Sequence, residues 1–162
     1  MDSSLTIITH SSSQTQKVGR IMGRLANPGD IFLLVGPLGA GKTCLTQGIS
    51  HGLKTKEPAR SPTFVLATQY QGRLTINHID LYRIEDPIEA IDFGIEEYMN
   101  SEEVCIIEWA DRTKEIFPEH CLWIEISYGI SKNSRQFTLY NTNKRYSTLI
   151  ECLEKDTDCY MP

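Results

Sequence analysis

The sequence predicts a three-layer α/β domain with a mixed parallel and antiparallel sheet. Three observations carry this. The apolar run Ile31-Phe32-Leu33-Leu34-Val35 leads straight into Gly36-Pro37-Leu38-Gly39-Ala40-Gly41-Lys42-Thr43, the full pattern G-x-x-x-x-G-K-[ST], and an amphipathic segment follows. That strand–loop–helix unit is the core of a P-loop NTPase-like fold. A second apolar run, Val104-Cys105-Ile106-Ile107, has the composition of a strand covered on both faces. Between them, two alternating runs flank Gln71-Gly72-Arg73, which reads as a hairpin and makes the sheet mixed.

The remaining elements follow in chain order. Residues 5–9 form a short strand, and Ser11-Ser12-Ser13 offers helix N-caps. Val18, Ile21, Met22 and Leu25 then recur at helical spacing. Asn27-Pro28-Gly29-Asp30 is a turn into the loop strand. After the loop, Leu45, Ile49 and Leu53 mark a helix ending near Gly52. Residues 65–70 and 74–80 are the hairpin strands. Asp86-Pro87-Ile88-Glu89 starts a helix with a cap, a proline at its first position and an acid in its first turn; it runs to Asn100 with a break at Gly94. Residues 122–128 and 135–140 alternate as strands, residues 146–155 form a terminal helix, and the last residues fray.

At 162 residues the chain is one domain, spanning 1–162, large enough to bury a core without staples. A formal net charge of −5 gives no sign of a nucleic-acid-binding surface, which leaves room for a role near RNA through a partner. The five cysteines are scattered, with no C-x-x-C, and fit reduced thiols of a cytoplasmic protein. No apolar stretch approaches a membrane span, and no signal-peptide pattern opens the chain.

The loop sets the chemistry. Its backbone N–H groups, from Leu38, Gly39, Ala40 and Gly41 onward, can curl into an anion nest around the phosphates of a nucleotide. Lys42 reaches the β- and γ-phosphates, and the Thr43 hydroxyl ligates Mg²⁺. The glycines are expected to permit close approach of backbone to phosphate. Two acids qualify to complete a metal site: Glu108, which ends the apolar run at 104–107, and Asp80, which shares a strand face with Leu74, Ile76 and His78. Thr63 is a third candidate, in a Ser-Pro turn about twenty residues beyond the loop, where a threonine can follow the γ-phosphate. His78 reads as a packed or hydrogen-bonded strand residue rather than a general base, and Trp109 as core filler or a shaper of the nucleotide pocket.

Taken together, Gly36–Thr43, Ser61-Pro62-Thr63-Phe64, His78-Ile79-Asp80-Leu81-Tyr82-Arg83 and Ile107-Glu108-Trp109 resemble the TsaE (YjeE) family, small bacterial ATPases needed to make threonylcarbamoyladenosine in tRNA. The resemblance spans roughly residues 5–140. It implies a weak ATPase, with ATP and Mg²⁺, that works in a complex with TsaB and TsaD while TsaD performs the transfer. It assigns phosphate to Lys42 and the loop amides, Mg²⁺ to Thr43 and Glu108, and the γ-phosphate and its water to Asp80 and Thr63. Arg135 and the segment 11–15 fall where family members contact the base. The chain departs from the family at Pro37, Cys44 and Ala59-Arg60. Two other readings share the loop. A small-molecule kinase would need an arginine-rich lid, and residues 112–119 hold only one Arg and one Lys. A nucleotide-dependent binding module would keep the loop and hardly turn over.

Overall fold

The computed structural model describes residues 3–62, 66–141 and 143–156. Thr63 and the start of the expected strand at 65 lie outside the described residues, as does the expected frayed end. In order, the elements are β1 (Ser3–Thr9), α1 (Ser12–Leu25), β2 (Ile31–Val35), α2 (Lys42–Gly52), β3 (Ala67–Tyr70), β4 (Ile76–Asp80), α3 (Pro87–Phe93), α4 (Ile95–Met99), β5 (Val104–Glu108), β6 (Leu122–Tyr128), β7 (Arg135–Asn141) and α5 (Ser147–Asp156). Seven strands form one sheet in the order β1-β7-β6-β2-β5-β4-β3. The centre is parallel, with β2 between β5 and β6 and β4 beside β5. The flanks are antiparallel: β3 runs against β4, β7 against β6 and β1 against β7.

Alternation along the central strands divides the apolar side chains between two cores. Phe32, Leu34, Ile106 and Ile124 face α1, α2 and α5, whereas Ile31, Leu33, Ile79 and Ile107 face the layer of α3 and α4. Three layers result, as the sequence predicts. The local signals hold as well. Ser11 caps α1 by accepting from Gln14 N at 3.1 Å. Asp86 caps α3 by accepting from Ile88 N at 2.8 Å, with Pro87 in the first turn. Gly94 separates α3 from α4 at φ 91°.

Two features go beyond those signals. First, α1 and α2 touch backbone to backbone. A Cβ placed on Gly19 would lie 2.5 Å from Leu45 O, one on Gly23 2.1 Å from Ile49 O, one on Gly48 2.4 Å from Gln16 O and one on Gly52 2.3 Å from Arg20 O. Only glycine allows so close a crossing. Second, the expected terminal helix begins at Ser147 rather than Tyr146, because Tyr146 is needed elsewhere. It closes a 3-10 turn, and its buried hydroxyl accepts from Ile31 N at 3.1 Å and donates to Ile31 O at 3.2 Å. Arg145 supports it with a 2.6 Å bond from Nε to Asp30 Oδ1. The turn before α5 thus clamps the entry of the loop strand.

A candidate phosphate and metal site

The loop joins the end of β2 to the start of α2, so the N-terminus of α2 points its free N–H groups and partial positive charge into the loop. The loop glycines also have tasks within the protein itself, beside the close approach to phosphate expected of them. A Cβ on Gly36 would lie 2.4 Å from Ile126 O, so this glycine lets β2 leave the sheet against β6. Gly41 meets nothing within 4 Å; its φ of 111° is the requirement. The loop is also braced from outside, since Tyr128 Oη donates to Leu38 O at 2.5 Å.

Lys42 is buried and donates from Nζ to Gly36 O at 2.6 Å and Pro37 O at 2.9 Å. Its ammonium lies 4.1 Å from the centroid of the Trp109 ring, a cation–π contact. Burial pushes its pKa below the ordinary lysine value, while Glu108, Asp80 and Asp111 pull it back up. Trp109 has a left-handed backbone at φ 59°, a genuine outlier for a bulky residue, and packs on Tyr82 with centroids 5.0 Å apart. Strain of this kind, about 1–3 kcal/mol, collects at functional sites.

The two acids stand side by side, because β4 and β5 are parallel and Asp80 pairs in register with Glu108. Thr43 Oγ1 donates to Glu108 Oε1 at 3.2 Å. Asp80 accepts from Ser61 Oγ at 3.0 Å and Tyr82 N at 2.9 Å. Both acids are almost fully buried. Lys42, Thr43, Ser61, Asp80, Glu108 and Trp109 line one cleft of about 360 Å³. A second cleft of about 440 Å³ meets it at Gly39, Gly41 and Cys44 and is lined by His10, Ser11, Ser12, Thr15, Asn133 and Arg135. Of the residues expected at the site, Leu38, Gly39, Gly41, Lys42, Thr43, Asp80 and Glu108 therefore surround the first cleft, and Arg135 lines the second. Ala40 is buried within the loop, and Arg135 lies 4.9 Å from the Tyr128 ring.

The donor set suits a hard cation. A threonine hydroxyl and two carboxylates supply oxygen ligands of the kind Mg²⁺ prefers. Among the described residues no group of three or more His, Cys, Asp or Glu could hold a metal alone, so an ion here would share its ligands with bound phosphate and water. Sequence reasoning gives Ser61, His78 and Tyr82 no part in this arrangement, whereas Trp109, read there as core filler or as a shaper of the nucleotide pocket, does line the cleft. The period of β4 does place His78 and Asp80 on one face, and that signal could have found His78.

Fold and site together define a P-loop α/β domain with two strand-end acids beside its loop. The chain belongs to the TsaE family: the family model described as threonylcarbamoyl adenosine biosynthesis protein TsaE matches residues 9–137. It is 36% identical over 132 residues to the tRNA threonylcarbamoyladenosine biosynthesis protein TsaE of Treponema pallidum, covering 82% of this chain and 97% of that one. It is likewise 36% identical over 148 residues to the protein of the same name from Bacillus subtilis, covering 91% of this chain and 92% of the relative. The crystal structure of Bacillus subtilis YdiB superposes with a TM-score of 0.80 at 31% identity, over 96% of this chain and 97% of that one. No helix among the described residues is long and apolar enough to cross a membrane.

Proposed function

We propose that the protein is the cytoplasmic ATP-binding and ATP-hydrolysing component of tRNA threonylcarbamoyladenosine biosynthesis, acting with TsaB and TsaD and meeting tRNA only through them. The observation that carries the ATPase reading is the bond from Thr43 to Glu108, with Asp80 in register beside it, at the mouth of a complete phosphate-binding loop. Thr43 and Glu108 are the residues that would hold Mg²⁺, which when bound neutralises charge on the β- and γ-phosphate oxygens. The loop amides from Leu38 to Thr43 bind the phosphates. Lys42, drawn from its loop carbonyls, meets the terminal ones. Asp80 orients the attacking water, and Thr63 shares in sensing the γ-phosphate. Arg135 and the start of α1 line the cleft that receives the nucleoside.

No arginine is among the described residues lining the first cleft. An arginine finger is worth 10³–10⁵ in rate in such sites, so slow turnover alone and faster turnover with partners is the expectation. Arg112, whose guanidinium carbon is 5.6 Å from the Trp109 ring, lies beside this lining residue, and one such arginine does not make a kinase lid. The test is phosphate release from ATP by the purified chain, alone and with TsaB and TsaD. Stimulation supports the reading. Fast turnover unchanged by the partners, or transfer of phosphate to a small acceptor, overturns it.

A further inference from the structure

The second oxygen of Glu108 is not left to solvent. His78 Nε2 lies 3.2 Å from Glu108 Oε2, and both side chains are buried. The sheet register creates this contact: His78 pairs with Ile106, so Glu108 sits one diagonal step away across β4 and β5. On the other side of the ring, Nδ1 lies 3.5 Å from Tyr70 Oη, again across a diagonal, because Thr68 pairs with His78 and Tyr70 with Ile76. Tyr70 Oη in turn accepts from Arg60 N and donates to Arg60 O, each at 2.9 Å. Next in the chain, Ser61 donates to Asp80. One buried row thus runs from the strand-end acid, across three strands, to the backbone that enters the Ser61 segment.

We propose that His78 is a positioning residue for Glu108, and that Tyr70 extends the same hydrogen-bond chain to Arg60. The proposal rests on the reading of Glu108 as the metal acid. An ionised carboxylate only accepts, so the ring must carry a hydrogen on Nε2, and in the neutral ring Nδ1 is then an acceptor facing Tyr70. With Oε2 held by His78, Oε1 stays turned toward Thr43. This is the outer-shell logic by which a ligand's second partner fixes its orientation, and loss of such a partner typically costs 10–100-fold in metal affinity or activity. The Tyr70 hydroxyl has one hydrogen and two acceptors within reach, Arg60 O and His78 Nδ1, and can serve only one at a time. The Arg60 backbone and the Glu108 carboxylate are therefore coupled through a single proton donor.

Two measurements test this on the full chain, one independent of turnover. In side-chain ¹⁵N spectra without nucleotide, His78 should show the Nε2–H tautomer, its Nε2 signal should move in Glu108→Gln, and its Nδ1 signal should move in Tyr70→Phe. An Nδ1–H tautomer, or signals indifferent to both substitutions, overturns the proposal. In turnover assays, His78→Phe keeps a ring but removes both nitrogens. It should raise the Mg²⁺ concentration for half-maximal turnover about tenfold or more, with KM for ATP at saturating Mg²⁺ changed less than twofold. His78→Gln, whose carboxamide nitrogen can replace Nε2, should recover most of the loss. Wild-type Mg²⁺ dependence in His78→Phe, or no rescue by glutamine, also overturns it. If the wild-type chain fails to hydrolyse ATP even with TsaB and TsaD, the ATPase reading falls, and the spectra still decide whether His78 orients Glu108.

Discussion

Replacing Gly23 by alanine should destabilise the protein, although the same change in an ordinary helix interior stabilises by about 1 kcal/mol. The added Cβ would lie 2.1 Å from Ile49 O and 3.0 Å from Gly52 Cα. Ordinary carbon contacts need about 3.5 Å, so α1 and α2 must part by more than 1 Å at this point. The facing atoms are backbone and cannot rotate away. Overpacking of this kind costs roughly 1–3 kcal/mol, and a rigid backbone contact belongs at the upper end. Subtracting the helix-propensity gain leaves a net loss of about 2 kcal/mol. For a domain of this size that is a fall in Tm of about 4–8 °C. Calorimetry or circular dichroism on the purified variant reads it directly. An unchanged or raised Tm would show that the crossing can relax, and the argument for a backbone-to-backbone seat would be lost.

Further outcomes follow from the site and the core. Lys42→Ala removes a charge-assisted bond to phosphate worth about 1.5–3 kcal/mol, so ATP affinity measured by titration calorimetry should fall by roughly 10–150-fold. Glu108→Gln should chiefly raise the Mg²⁺ requirement, whereas Asp80→Asn should slow hydrolysis and spare nucleotide binding; the reverse pattern in metal titrations would exchange the two roles. Stability should fall as pH rises above about 9. Burial holds Cys105 and Tyr146 well above their ordinary values and pushes Cys121 up to about 12. Above pH 9 to 10 the unfolded chain sheds these protons while the native chain keeps them, so the native state loses ground. Cys44 and Tyr140, also raised, act in the same sense, and Lys42, lowered by burial, acts in the opposite sense just below its ordinary value. Urea midpoints followed from pH 8 to 10.5 check this, and Tyr146→Phe should reduce the slope above pH 10.

Local signals are legible in the sequence because they are contained in a few neighbouring residues. The apolar run at 31–35, the Ser11 and Asp86 caps and the Gly94 break each depend on contacts within one turn or one strand. The acids at 80 and 108 can be named as strand ends, but that they stand in register depends on how β4 and β5 align, and no local pattern states that. Gly19 and Gly23, like Gly48 and Gly52, are each four apart. The repeated spacing is visible, yet read helix by helix Gly52 is only a helix end, and the partner helix gives the spacing its meaning. The left-handed backbone of Trp109 has no sequence signal, since tryptophan is a residue that disfavours it.

The clamp at Tyr146 bears on how the protein is made. The two ends of that contact are 115 residues apart in the chain. The loop strand leaves the ribosome first, and the hydroxyl that bonds both polar groups of Ile31 leaves 115 residues later. Between those moments a nascent chain can hold the phosphate loop and most of the sheet, but its central strand remains open at the entry. The family match ends at residue 137, short of the clamp. A fragment trimmed to that boundary would stay permanently at the stage the growing chain only passes through, with every motif present and its core unsealed.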